Sequence, residues 1–153
     1  GVAEDKNVAK VTILGVPNKP GHAYRIFSGL ADRNIDVDMI VQSVRYANEG
    51  VTDITFTVSR DDAALVRDVL TAMQGDMNIE DVLIDQNMGK VSVVGAGMAG
   101  HPGIAASMFG LMADNGINIE IISTSEISIT CLIAEEHVDN AVRSIHNHFF
   151  DEG

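Results

Sequence analysis

The run Gly95-Ala96-Gly97-Met98-Ala99-Gly100 has the spacing G-x-G-x-x-G, follows a strand-like segment and has Glu120 about 20 residues further on. In dinucleotide-binding proteins that arrangement lets backbone N–H groups meet a pyrophosphate while the acidic residue takes the ribose. Three features argue against that use here. His101-Pro102 separates the glycines from the helical pattern, whereas the fingerprint helix begins among them. The corresponding loop earlier in the chain, Gly15-Val16-Pro17-Asn18-Lys19-Pro20-Gly21, lacks the glycines, and each half of the chain is too short for a doubly wound sheet. A nucleotide-binding fragment is therefore kept only as the weaker alternative. The five histidines do not suggest a metal site: His146 and His148 are two apart on a helix and face different ways, while His22, His101 and His137 lack ligand partners at the usual spacing. There is no G-x-S-x-G and no G-x-x-x-x-G-K-[ST], so no catalytic residues are expected.

Other polar groups suit the binding of a small zwitterion. Pro20-Gly21-His22-Ala23 and Pro102-Gly103-Ile104-Ala105 stand at helix starts, where proline costs no hydrogen bond and exposed N–H groups favour a carboxylate. Their plain reading is the end of a loop. Asp36-Val37-Asp38 and Asn118-Ile119-Glu120 open the strands that follow. They offer negative charge for an ammonium group, or serve only as edge carboxylates that block aggregation. Ser123-Thr124-Ser125-Glu126 is either a polar turn or a ligand contact.

The elements that must position these groups occur twice. Setting Pro20-Gly21 on Pro102-Gly103, an offset of 82, aligns Ala23 with Ala105, Phe27 with Phe109, Ala31 with Ala113, Ile35 with Ile117 and Ile40 with Ile122. Self-similarity of this extent marks a duplicated unit. In the first copy the pattern predicts a strand over 8–15, a loop from Val16 to Gly21 and a helix over 22–34. A strand over 35–46, a turn over 47–50 and a return strand over 51–59 follow. A helix then opens at Asp61-Asp62, and a strand runs over 79–86. That order, βαββαβ, is the ferredoxin-like unit, an α+β fold with an antiparallel sheet and helices on one face. Asn87-Met88-Gly89 reads as the seam. The second copy gives a strand over 90–95, helix 102–115, strands 117–123 and 127–133 and a helix from Glu135, and is one strand short. Gly1 to Lys6 is the candidate for the missing strand. The expected domains are 8–87 and 88–153, the latter with 1–7 added.

A formal charge of −12, from 22 acidic and 10 basic residues, repels phosphate backbones and excludes nucleic acid as the expected partner. No apolar run approaches the ~20 residues of a membrane helix, and the start of the chain shows no export signal. Cys131 is the only cysteine and sits in the apolar alternation Ile127 to Ile133. A buried thiol and a cytoplasmic location are expected.

The run from Pro20 to Gln42, with Thr52-Asp53-Ile54-Thr55-Phe56-Thr57, resembles the first ACT domain of aspartate kinases. Lys90 to Met98, His101-Pro102-Gly103, Ile117-Asn118-Ile119 and Ile122-Ser123-Thr124-Ser125-Glu126-Ile127 resemble the second. The resemblance covers nearly the whole chain and implies a regulatory region or separate β-subunit, without the catalytic domain and its ATP and magnesium sites. It implies feedback control by threonine, lysine or both, a homodimer built through ACT domains, and an aspartate kinase catalytic domain or α-subunit as partner. By motif, threonine would contact Gly21, Ala23 and Gln42 together with Asn118 and Ile119. Lysine would use Asp38, Met98, Ser125 and Glu126. The family often has Asp where this chain has Asn18, which weighs against lysine. The alternatives are another amino-acid ligand or a module that only dimerises.

Overall fold

The computed structural model describes residues 1–44, 50–95 and 103–150. It divides into two units, one formed by Val8–Gln86 and the other by Gly1–Asn7 with the chain from Asn87 onward. Two long strands serve both: β1 (Val2–Pro17) and β4 (Asp81–Val94).

The first unit takes β1 from Val8 and adds α1 (His22–Asp32), β2 (Asp38–Val44), β3 (Val51–Val58), α2 (Ala63–Gln74) and β4 as far as Gln86. Its strand order is β2-β3-β1-β4, with β3 antiparallel to both of its neighbours. Period-2 alternation buries Ala9, Val11 and Ile13 on one side of β1 and leaves Lys10, Thr12 and Leu14 half-buried on the other. Register sets Val11 opposite Phe56 and Ile13 opposite Ile54, extending the apolar face across the sheet. Ile26 and Leu30 of α1 and Val66, Val69 and Leu70 of α2 complete this core. Phe27 meets Phe56 edge-on, with ring centroids 5.4 Å apart.

The second unit takes Val2–Asn7 of β1 and β4 from Asn87, then α3 (Gly103–Asp114), β5 (Ile121–Thr124), β6 (Ser128–Ala134) and α4 (Val138–Phe149), in the strand order β1-β4-β6-β5. The start of the chain is tied in by two bonds: the Gly1 amino group donates to the Val94 carbonyl at 2.6 Å, and the Val94 N–H donates to the Gly1 carbonyl at 2.8 Å. Lys6 reaches Asp139 of α4 at 2.8 Å. Their hydrogen bond and opposite charges raise the Lys6 pKa and lower that of Asp139, but both groups face solvent and the pair adds little stability. Val91, Val93, Ile129, Cys131 and Ile133 pack with Met108, Met112, Val138, Ala141 and Ile145.

Burial pushes the Cys131 thiol from an ordinary 9.0 up to about 11. The stability linked to this group is therefore complete below pH 9 and is lost as pH rises towards 11. The native protein should resist iodoacetamide at neutral pH and become labelled only as urea unfolds it. Rapid labelling without denaturant would mean that the second core is open.

Both copies end their first helix with the same cap. Ile35 N–H donates to the Leu30 carbonyl and Asn34 N–H to Ala31, while Ile117 donates to Met112 and Gly116 to Ala113. Asn34 and Gly116 take φ of 61° and 66°, the left-handed step of a Schellman motif.

Several boundaries differ from the sequence reading. Val16-Pro17 is not loop but the end of β1, because Gly15, at φ +67, makes a bulge between Ile13 and Val16 that lets Val16 pair with Thr52. Asp61 and Asp62 lie in a 3-10 turn capped by Ser59, and α2 starts at Ala63. Glu135 likewise lies in a 3-10 turn, before α4. The expected seam 87–89 does open the second unit, but the strand β4 runs through it without a break, with Met88 paired to Ala134 and Gly89 to Ile133. β4 begins only at Asp81, since 78 and 79 close the end of α2. β2 begins at Asp38 rather than Ile35, and β5 at Ile121 rather than Ile117, because residues 34–35 and 116–117 are used in the helix caps. The expected turn at 47–50 falls largely on residues outside those described.

Candidate functional site

α1 begins from a tight turn. Lys19 N–H donates to the Pro17 carbonyl, His22 N–H to Lys19 and Arg25 N–H to Gly21. Gly21 is the N-cap, with φ 89° and ψ −15°, and no side chain caps the helix. A Cβ at Gly21 would meet nothing within 4 Å, so glycine is required there by backbone conformation and not by crowding. The His22 and Arg25 N–H groups are taken by backbone carbonyls, and no side chain caps those of Ala23 and Tyr24 between them, which is what a carboxylate ligand would need. Ala23, in the first turn, is half-buried against the core.

Asp38 and Gln42 lie on β2, the edge strand of the first unit. An uninterrupted strand would set residues four apart on one face. The register instead shifts between Asp38, which pairs with Thr57, and Val41, which pairs with Thr55. Gln42 then pairs with Ile54, on the face that the helices cover, while Asp38 keeps the register of Thr57 on the other face. Met39, inside the bulge, has φ 49°. Asp38 Oδ1 accepts the Met39 N–H at 2.9 Å, and the Asp38 carbonyl accepts the Thr57 hydroxyl at 2.9 Å.

In the second unit Asn118 and Ile119 do not form the expected strand. They lie in the connection from α3 to β5, with Asn118 exposed and Ile119 half-buried against the core. Ser125 closes the β5–β6 turn: its hydroxyl accepts from the N–H groups of Ile127 and Ser128 at 3.3 and 3.1 Å and contacts the Ser128 hydroxyl at 2.9 Å. The polar-turn reading thus accounts for Ser125. Glu126, at the tip of the turn, is exposed. Met98 and most of the glycine run lie outside the described residues.

The described concavities do not gather the candidate residues. A groove of about 300 Å³ between α1 and α2 is lined by Arg25, Arg33, Asp68 and Asp76 around Gly29. Another, of about 610 Å³, is lined by Lys6, Asn87, Glu135, Glu136 and Asp139. Among the described residues, no three or more His, Cys, Asp or Glu form a group able to hold a metal. No described helix is long and apolar enough to cross a membrane. Thr57, whose hydroxyl bonds the Asp38 carbonyl, carries no motif of its own in the sequence. The signal for it was present only as an interior threonine in an apolar strand.

Comparison with known proteins places this architecture. A family model described as ACT domain matches residues 11–73 and 91–149. The aspartokinase of Corynebacterium glutamicum is 48% identical over 149 residues, 97% of this chain and 35% of that protein. The chain thus spans about a third of the length of the curated relatives it matches. Among solved structures, that of aspartokinase alpha and beta subunits aligns at 44% identity with a TM-score of 0.90, covering 97% of both chains. The ligand-free regulatory subunit of aspartate kinase from Thermus thermophilus aligns at 36% identity and TM-score 0.90, with the same coverage. The duplicated α+β unit, the repeated helix-start glycines and nearly full-length matches to regulatory subunits together show that this chain belongs to the ACT domain family, as the regulatory part of an aspartate kinase.

Proposed function

We propose that the chain senses an end-product amino acid, threonine or lysine, and transmits feedback inhibition to an aspartate kinase catalytic partner that supplies the ATP and magnesium chemistry. The observation that carries this reading is the uncapped, open start of α1 at Gly21, whose N–H groups can donate to an α-carboxylate. Threonine would be held by Gly21, Ala23 and Gln42 of one copy with Asn118 and Ile119 of a second. Lysine would be held by Asp38, Met98, Ser125 and Glu126. Ser125 already serves the β5–β6 turn, which favours threonine. An effector bridging two copies stabilises the assembly in which the site is whole. It shifts that equilibrium only by its difference in affinity for the two states.

A thermal-shift and calorimetric screen of amino acids tests the reading. At about 100 times Kd the effector adds about 2.7 kcal/mol, a rise in Tm of about 5–10 °C for a protein of this size. Gly21→Val should abolish most of that rise while the chain stays folded. A rise with a different amino acid would reassign the effector. No heat and no shift with any amino acid would refute sensing and leave a module that only dimerises.

A further inference from the structure

Thr52 and Thr57 are the buried polar residues of the described chain, 1% and 0% exposed. Both stand on β3 and donate their hydroxyls to carbonyls of the edge strand: Thr52 to Ser43 at 2.8 Å and Thr57 to Asp38 at 2.9 Å. The Thr57 bond falls at the bulge that holds Met39 in a left-handed conformation, a state a non-glycine residue keeps only when its surroundings enforce it.

The duplicated unit supplies an internal control. Phe56 stands opposite Val11, and Cys131 opposite Val91, so the counterpart of Thr57 is Leu132. Leucine has no hydroxyl to donate, and the contact there is a backbone bond from the Glu120 N–H to the Leu132 carbonyl. β5 then pairs with β6 without a register shift from Ile121 to Thr124. No non-glycine residue of that segment has positive φ. The threonine hydroxyl bond and the left-handed residue occur together in one unit and are absent together from the other, where Glu120 and Ile121 both meet Leu132 with no hydroxyl between the strands.

We infer that Thr57 is a positioning residue for the effector site: its hydroxyl holds the β2 bulge that sends Asp38 and Gln42 to opposite faces. This rests on the effector reading above and assigns to the site a residue that touches no ligand. Asp38 would otherwise follow plain alternation, on the same face as Gln42.

The test uses the full chain with Thr57→Val, which keeps the shape and removes the hydroxyl, Thr57→Ala as a second hydroxyl-free variant should valine fail to fold, and Thr57→Ser, which keeps the donor. Calorimetric titration with L-threonine and with L-lysine is paired with amide hydrogen exchange along residues 38–42. Loss of the hydroxyl should weaken effector binding about tenfold and speed exchange at Met39 to Val41, with β1–β3 amides unchanged and the serine variant within about twofold of the natural chain. Equal affinity in the valine variant, or equal weakening in valine and serine variants, overturns the inference. If the natural chain binds neither amino acid, the effector reading fails by itself. Thr57 is then judged by exchange alone, where unchanged rates at 39–41 without the hydroxyl overturn its role.

Discussion

Phe56→Ala should lower the stability of the first unit by about 3–5 kcal/mol, moving its urea midpoint down by about 2 M. Phe56 is fully buried on β3 opposite Val11, and the edge of one ring meets the face of the other in its pair with Phe27. Truncation removes the transfer free energy of the ring, leaves a cavity and deletes the aromatic pair. Against a total of about 5–15 kcal/mol for a typical domain, this is the difference between a folded and a marginal unit. The comparison variant is Phe109→Ala. Phe109 occupies the repeat position of Phe27 but is 49% exposed on α3, and its loss should cost no more than about 0.5–1 kcal/mol. Equal effects at the two sites would mean that the core of the first unit is not built on the aromatic pair. Calorimetric or urea melts of both variants decide it.

Gly89→Ala should lower Tm by about 2–12 °C. Gly89 lies in β4, buried and paired with Ile133. A Cβ there would run into the Cγ2 methyl of Val138 on α4 and come within 3.3 Å of the Asp5 backbone carbonyl. Overpacking of this kind costs about 1–3 kcal/mol, and each kcal/mol is about 2–4 °C for a chain of this length. The side chain can yield but the backbone carbonyl cannot. Combining the change with Val138→Ala should therefore recover only part of the loss, a non-additivity read from a double-mutant cycle. Full recovery would show that the strand carrying Asp5 does not press on β4. An unchanged Tm in the single variant would show that α4 does not close over Gly89.

Much of this fold is legible in the residues because it rests on local rules. The offset of 82 revealed the duplication, and helical spacing picked out Ile26 and Leu30 as core. The match of Asn34 with Gly116 reflects one left-handed cap used twice. Pro20-Gly21 marked the helix start whose uncapped N–H groups now carry the functional reading. Each of these depends on residues within a few positions of one another, so type and spacing suffice.

What only the tertiary structure decided depends on partner strands. Residues 87–89 look like a break by composition, yet they continue β4 because β6 offers Ala134 to Ile133 as pairing partners. The first residues look like a polar end, yet Gly1 bonds to Val94, 93 positions away. Asp38 and Gln42 share a face by alternation, and are separated because Thr57, on a different strand, bonds across to the Asp38 carbonyl at a two-residue bulge. Register is set by hydrogen bonds between distant segments, and a slip of one residue reverses every side chain after it. The sequence by itself determined the units, their helices and the chemistry available at Gly21. The direction in which Asp38 and Gln42 face was decided by the neighbouring strand, because no local pattern encodes where a bulge falls.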